Sequence, residues 1–452
     1  MVSNNEPDPV SKRCWQWYLS YLDAQIKELW NINLSSVIQD LPYAWNIAKA
    51  EDWTRIYKVI CVIASTISKG THKNRGMEIS LDNITDELTA ADLLASPVKT
   101  DEVRQMVWSL AGPITMLFDP KFTNINLSQL QLRRPVSSRI IVRGKHRGTV
   151  ITTFSQPTTT AEDPFYQMLT HFGALLPEVR QSGPAEACCH AASSANDSHF
   201  YPNYVSFDVL KNVAKLKIEW VNTLNLHLQL DERKRILRLY RFPAFCRLLY
   251  ADGPDEDEVN GKASFLCQLF NHYKASRLQG QPQERDSLTF YDFLRDMMLS
   301  YRLLFGMTSK SRKAFRAEIK NWQHDSLHDG PFSGQKMYEM DPLLWYLCAE
   351  SGPSPELVQL LSLLDGEETS PRYSFEDFPF LGSRLLQLQT FIEGHRPTTW
   401  SLLWHNRTDT KNWWVVWTAG AVLLIGGGTI VLQFWQLVFQ AMSVWYNPGK
   451  PG

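Results

Sequence analysis

The stretch WWVVWTAGAVLLIGGGTIVLQFWQLVFQ, from Trp413 to Gln440, contains no charged residue. Buried helices of soluble proteins rarely keep such a composition beyond about 14 residues. A helix from Trp413 to Phe434 is about 33 Å long at about 1.5 Å per residue, and a bilayer hydrocarbon core is about 30 Å thick. The sequence therefore predicts a single C-terminal transmembrane helix over residues 413–434.

Tryptophans gather at both ends of this segment, as they do at membrane–water interfaces. The predicted interface residues are Trp413, Trp414, Trp417, Trp435 and Trp445. Arg407 and Lys411 precede the segment, and Lys450 follows it. Because Lys and Arg are enriched on the cytosolic side of membrane proteins, this bias predicts that the large N-terminal body is cytosolic.

A polar stripe begins near the end of the predicted span. Gln433, Gln436 and Gln440 recur at intervals of three and four residues, so they share one helix face. Amides in hydrocarbon need hydrogen-bond partners. Either the stripe faces another protein helix, or the chain bends near Phe434 and residues 435–452 form an amphipathic interfacial tail. The tail is favoured, since a straight helix to Tyr446 would be about 51 Å long.

The bulk composition describes a folded body. Of 452 residues, 44% are hydrophobic and 21% are charged, which is close to globular averages. The net charge of −1 gives no electrostatic case for binding nucleic acid. Most of the seven cysteines lie inside apolar runs, as buried thiols do, and the first 30 residues lack a secretory signal pattern. Both features favour the reducing cytosol.

The body is predicted to be mainly α-helical with a small antiparallel β element of two hairpins. β-branched runs flank a turn at residues 144–148, and leucines alternate with polar residues from Leu224 to Leu230 before a charged turn at residues 231–235. The predicted organisation is a helical domain (1–135), a β-hairpin and polar loop (136–200), an α+β region (201–395) with a hairpin at 224–242, and a juxtamembrane segment (396–412).

The strongest catalytic candidate is HDSLHDG, residues 324–330. His324 and Asp329 have the His-x4-Asp spacing of glycerolipid acyltransferases, in which a carboxylate orients the base that deprotonates a hydroxyl. The same residues suit a polar turn that ends a helix, and this interpretation is favoured. The adjacent Cys188 and Cys189 do not have zinc-site spacing. No cofactor or metal site is predicted.

Two further motifs are open to alternative interpretations. SKSRKAFRAEIK, residues 309–320, is typical of a solvated helix face, but it also suits anionic lipid headgroups or phosphates. Asn-x-Ser/Thr sequons accept glycans only if their part of the chain is luminal. The five sequons begin at Asn33, Asn83, Asn126, Asn196 and Asn406.

Four phrases together resemble a group of largely uncharacterised filamentous-fungal membrane proteins. They are FYQMLTHFGALLP (165–177), LKIEWVNTLNLHLQLDERKRILRLYRFPAFCRLLY (216–250), LRDMMLSYRLLFGMTSKSRKAF (294–315) and WSLLWHNRTDTKNWWVVWTAGAVLLIGGGTIVLQFWQLVFQ (400–440). The resemblance implies a helical cytosolic body ahead of one C-terminal span. Some fungal genes of this sort lie in secondary-metabolite clusters, which implies an accessory role. The group has no settled activity, so it assigns no functional residues.

Two functions are compatible with these features. The first is a non-enzymatic interaction or accessory protein, anchored by its C-terminal helix, with the lipid bilayer and an unknown protein as partners. The alternative is a membrane-tethered enzyme that acts on a lipid or an apolar secondary metabolite, with His324 and Asp329 as its acid/base pair. The missing catalytic motif favours the first.

Overall fold

Helices make up most of the described chain in this computed structural model. The structure describes residues 9–30, 34–69, 79–121, 126–136, 150–172, 199–200, 202–251, 266–267, 269–270, 289–325, 341–350, 355, 358, 360, 362, 373–394 and 410–446. The chain divides into two compact units, residues 1–392 and 393–452. The predicted mainly α class, with few short strands and one C-terminal apolar helix, is confirmed.

The helices and strands alternate irregularly along the chain. The α-helices are α1 (Pro9–Leu29), α2 (Ser35–Val37), α3 (Ala50–Lys69), α4 (Leu81–Ala90), α5 (Thr100–Thr115), α6 (Phe165–His171), α7 (Pro202–Val205), α8 (Phe207–Asn212), α9 (Pro243–Ala251), α10 (Phe290–Tyr301), α11 (Ser309–Asp325), α12 (Pro342–Cys348), α13 (Gly382–Gly394) and α14 (Thr410–Tyr446). The strands are β1 (Asp119–Pro120), β2 (Gln129–Val136), β3 (Val150–Pro157), β4 (His199–Phe200), β5 (Lys217–Val221), β6 (Gln229–Asp231), β7 (Ile236–Tyr240) and β8 (Tyr373–Ser374).

Side-chain caps fix where several helices begin. The Ser80 hydroxyl accepts a hydrogen bond from the Asn83 backbone N–H, and the Asn83 side chain accepts one from the Ser80 N–H, which starts α4. Thr289 and Asp292 form the same reciprocal pair at the start of α10. These pairs satisfy backbone donors that have no partner within the helix, so the sequence itself encodes both start points.

An antiparallel strand pair is present on either side of the first predicted hairpin turn, but the β-branched run before that turn, residues 137–143, lies outside the described residues. β2 pairs antiparallel with β3 from Gln129↔Pro157 to Val136↔Val150, and β1 adds to the other edge of β2. The predicted turn at 144–148 lies outside the described residues. Trp108 of α5 donates its Nε1–H to the Gln131 carbonyl at 2.9 Å, which fixes the sheet against a buried helix.

The second predicted hairpin is present between β6 and β7, with two differences. Its first strand starts at Gln229, because Leu224–Leu226 form a 3-10 turn and Leu228 has a positive φ of 59° that interrupts extended backbone. In addition, β5 pairs parallel with β7, giving the sheet order β5-β7-β6. The sequence analysis predicted the antiparallel β6–β7 pair but did not predict β5 as a strand.

One buried hydrophobic cluster extends from Val10 to Ile392. Its aromatic rings join distant parts of the sequence: Trp17 of α1 lies 5.4 Å from Phe242, and Tyr18 lies 5.7 Å from Phe245 of α9. The first helix is thus packed on residues of the predicted 201–395 region. The subdivision of the body at residues 135 and 200 stays a prediction.

The second unit contains α14, a helix of 37 residues. Within it Trp417–Ser443 is long and apolar enough to cross a membrane, with a mean hydropathy of 1.8 and none of the segment buried. α14 continues without a break through Phe434. The helix is therefore not interrupted where the predicted span (413–434) would end and the predicted tail (435–452) would begin. The division into span and tail stays a prediction.

Candidate functional site

The exposed apolar surface of α14 is the most distinct chemical feature of the described chain. Leu423, Leu424 and Ile425 are 70%, 79% and 69% exposed. Trp417 and Trp435 are also exposed, and they lie about 27 Å apart along the helix axis at about 1.5 Å per residue. Trp413, Trp414 and Trp445 belong to the same helix, but the structure does not describe their side chains.

The glutamine stripe is exposed on one side of α14. Gln433, Gln436 and Gln440 have no described hydrogen bond, whereas neighbouring hydroxyls bond to their own helix. Thr429 donates to the Gly426 carbonyl at 2.7 Å, and Ser443 donates to the Gln440 carbonyl at 2.8 Å. The three carboxamides are therefore polar groups that need partners from outside this helix when it lies in hydrocarbon.

Two of the five predicted sequons lie in the described chain. Asn83 is exposed, and its Oδ1 accepts from the Ser80 N–H at 2.9 Å. Asn126 is exposed, and its Oδ1 accepts from the Ser128 hydroxyl at 2.8 Å. Asn33, Asn196 and Asn406 lie outside the described residues.

The predicted acid/base pair is split between described and undescribed parts of the chain. His324 lies in the last turn of α11, without a described side chain, and Asp329 lies outside the described residues. Convergence of the two in a cavity stays a prediction. Among the described residues, no group of three or more His, Cys, Asp or Glu side chains is arranged to hold a metal ion.

The structure reveals a buried histidine cluster that the sequence analysis did not identify. The Nε2 atom of His227 lies 2.7 Å from the Ser300 hydroxyl, and the Tyr240 backbone N–H donates to His227 Nδ1 at 3.1 Å. Arg384 of α13 donates to the carbonyls of His227 and Asn225. The cluster therefore joins β7, α10 and α13 through residues that are far apart in sequence.

Hydrogen-bond directions exclude nucleophilic catalysis by this Ser–His pair as it stands. Because Nδ1 accepts from the Tyr240 N–H, a neutral His227 carries its proton on Nε2 and donates it to the Ser300 oxygen. Ser300 in turn donates to the Met297 carbonyl at 2.6 Å. A general base needs the opposite arrangement, with an unprotonated nitrogen facing the hydroxyl. Both side chains are also fully buried, so the pair is structural.

Burial also shifts the charge states of this region. Burial, with a smaller effect of the Arg384 charge, holds the pKa of His227 well below its ordinary 6.5. Burial raises the pKa of Asp341 to about 8. The backbone N–H groups of Ala244, Leu343 and Leu344 donate to its carboxylate and partly offset this rise. His227 is therefore neutral at neutral pH, and Asp341 links the starts of α9 and α12.

No local motif reveals the cluster in the sequence, since His227 and Ser300 are separated by 73 positions. The nearest signal is the alternation of leucines with Asn225 and His227, which predicted a strand but singled out neither polar residue. In the fold both are buried, and both ring nitrogens of His227 are hydrogen-bonded.

We expect His227 to make stability pH-dependent. Below pH about 6.5 an unfolded histidine takes up a proton, but folded His227 does not, so its contribution to stability is lost as the pH falls. The difference in free energy of unfolding between the native chain and His227→Gln should fall by up to about 1.4 kcal/mol per pH unit from pH 6.5 to 5. Denaturant unfolding of the full chain in detergent measures it.

The matched control is His171→Gln, which removes an exposed histidine at the end of α6. If the stability curves of the native chain and His227→Gln ran parallel between pH 7 and pH 5, the account of a buried neutral histidine would be wrong.

Comparisons with known proteins identify no relative of this chain. No family model matches the chain, and no curated protein and no solved structure shows significant similarity to it.

Proposed function

We propose that this chain is a membrane-anchored, non-enzymatic interaction protein whose body lies on the cytosolic face of a membrane. The observation that carries the proposal is the uncharged segment Trp417–Ser443 of α14, no residue of which is buried. Removing apolar surface from water is worth about 25 cal/mol per Å², and a helix satisfies its own backbone polar groups in hydrocarbon. α14 is therefore suited to insertion, while residues 1–392 keep a core of their own.

The cysteines and the flanking charges support a cytosolic body. Cys246 and Cys348 are buried thiols and Cys61 is an exposed one, and none of these three forms a disulfide. Free thiols persist in a reducing compartment, whereas oxidising compartments favour disulfides. The charge bias across the span, with Arg407 and Lys411 before it and Lys450 after it, points the same way.

The glutamine stripe supports a partner within the membrane. Three exposed carboxamides on one face of a helix are costly against lipid, but each can donate and accept hydrogen bonds across a helix pair. A second protein helix satisfies them without bending α14 into the interface. The proposed partner face therefore consists of Gln433, Gln436 and Gln440.

The resemblance to filamentous-fungal membrane proteins is compatible with the same arrangement, and an accessory role in secondary metabolism is part of this proposal. The alternative of a membrane-tethered enzyme depends on His324 and Asp329. Nothing in the described residues favours it over a non-enzymatic role for the anchored chain.

Alkaline carbonate extraction tests the anchor. We expect the full chain to stay in the membrane pellet. The double variant Leu423→Arg, Leu424→Arg should shift to the supernatant, because an arginine at the centre of a span costs about 2.5–3.5 kcal/mol. Leu19→Arg, at a half-exposed position of α1, is the matched control and should stay in the pellet. Release of the unmodified chain by carbonate would overturn the anchor.

The partner face has a separate test. The triple variant Gln433→Leu, Gln436→Leu, Gln440→Leu should remain resistant to carbonate, since it makes α14 more apolar. Its detergent-solubilised complex should be smaller in native electrophoresis, because the interhelical hydrogen bonds are lost. Val431→Leu with Val438→Leu, on the other side of the helix, is the control. An unchanged complex in the triple variant would show that the stripe faces lipid or the interface instead.

A further inference from the structure

A second site is suggested by Arg302, a buried arginine with two nitrogens that lack a hydrogen-bond partner among the described residues. Arg302 begins a π-helical turn, Arg302–Gly306, that follows α10 directly. Its side chain is 8% exposed, and its Nε and Nη1 atoms are buried without a hydrogen-bond partner. Turns of this kind inside helices are frequent at functional sites. A buried guanidinium with unused donors needs an explanation, because buried polar groups are normally paired.

A second guanidinium lies beside the same turn. A Cβ atom added to Gly306 would lie 2.6 Å from Arg302 Cδ and 2.7 Å from Arg302 Nη1, so the Arg302 side chain is folded against this glycine. Arg312 of α11 donates its Nη1–H to the Gly306 carbonyl at 2.6 Å. The two arginines therefore flank one residue, and burial together with the Arg312 charge lowers the pKa of Arg302.

The described surroundings do not neutralise this pair. Glu318, the acid of α11 nearest to the basic run, forms an ion pair with Lys211 at 2.5 Å. The charge of Glu350 acts on Arg302, but no ion pair within 4.0 Å joins the two in the described chain. Arg316 contacts the Ala349 carbonyl one turn further along α11. Positive charge is thus in excess where α11 begins.

An oxyanion matches this arrangement. A guanidinium stays protonated in proteins, so Arg302 cannot relieve its burial by losing a proton. Its planar donors fit phosphate oxygens, and the N-terminus of a helix of 17 residues adds a positive partial charge.

We propose that the Arg302–Gly306 turn and the start of α11 bind a phosphate-type oxyanion, with Arg302 and Arg312 as its two guanidinium ligands. This site is independent of the anchor, since all of its residues lie in the unit of residues 1–392. The basic run at 309–320 is then more than a solvated helix face, because Arg312 is turned toward a buried, unpaired arginine.

The test is titration of the full chain, in phosphatidylcholine nanodiscs, with inorganic phosphate at constant ionic strength set by chloride. We expect a saturable rise of the unfolding midpoint, as for any ligand that binds the folded state. Arg312→Gln should weaken phosphate binding by about tenfold or more, because it removes a charged hydrogen bond. Lys313→Gln removes an exposed charge from the same helix and should change the affinity by less than about twofold.

Arg302→Met gives a second, independent readout. Without phosphate it should unfold no more easily than the native chain, because it replaces an unpaired buried charge by an apolar side chain. With phosphate it should lose the rise in midpoint. No saturable rise in the native chain, or equal losses in Arg312→Gln and Lys313→Gln, would overturn the site.

A second arm of the experiment distinguishes a lipid source of the oxyanion from a soluble one. If the ligand is a lipid phosphomonoester, phosphatidic acid in the nanodiscs should compete with inorganic phosphate and weaken its apparent affinity. If the ligand is a soluble phosphate, both nanodisc compositions should give the same affinity. Either result supports the oxyanion site and assigns its source.

Discussion

The exposed apolar surface of α14 is the physical constraint from which the proposed organisation of this chain follows. A helix with no charge from Trp417 to Ser443 and no buried part is unfavourable in water, yet its backbone is fully hydrogen-bonded internally. Such a helix is long and apolar enough to cross a membrane. The body, in turn, has to fold around its own core, and the cluster from Val10 to Ile392 provides one.

Inside the body, polar side chains are buried where they join elements that are distant in sequence. His227 joins β7 to α10, Asp341 joins the starts of α9 and α12, and Arg238 pairs with Glu219 at 3.0 Å between β7 and β5. Donors and acceptors are matched at each of these points, which makes them structural rather than reactive. Arg302 differs from them, because two of its buried nitrogens have no partner.

Local patterns in the sequence predicted several helices and strands. Contacts between residues distant in sequence determined which side chains of these elements are buried and what they bind. The uncharged run predicted α14, and the charged turn after Leu230 predicted the β6–β7 hairpin. The alternation from Leu224 failed as a strand, since Asn225 and His227 are buried alongside the leucines and Leu228 has a left-handed backbone. The His227–Ser300 contact and the Arg302–Arg312 pair depend on tertiary packing and leave no periodic signal in the sequence. The sequence showed the basic run at 309–320, but it gave no sign that Arg302 beside it is buried.

The orientation of the body is the most direct test of the central claim. Asn83 and Asn126 are exposed sequons of the body, and a further sequon can be appended after Gly452. Glycosidase-sensitive mobility shifts of the full chain, expressed in cells, report which side of the membrane each sequon occupies, and Asn83→Gln with Asn126→Gln identifies the site. A cytosolic body predicts a glycan at the appended sequon and none at Asn83 or Asn126. A glycan on Asn83 or Asn126 would contradict it.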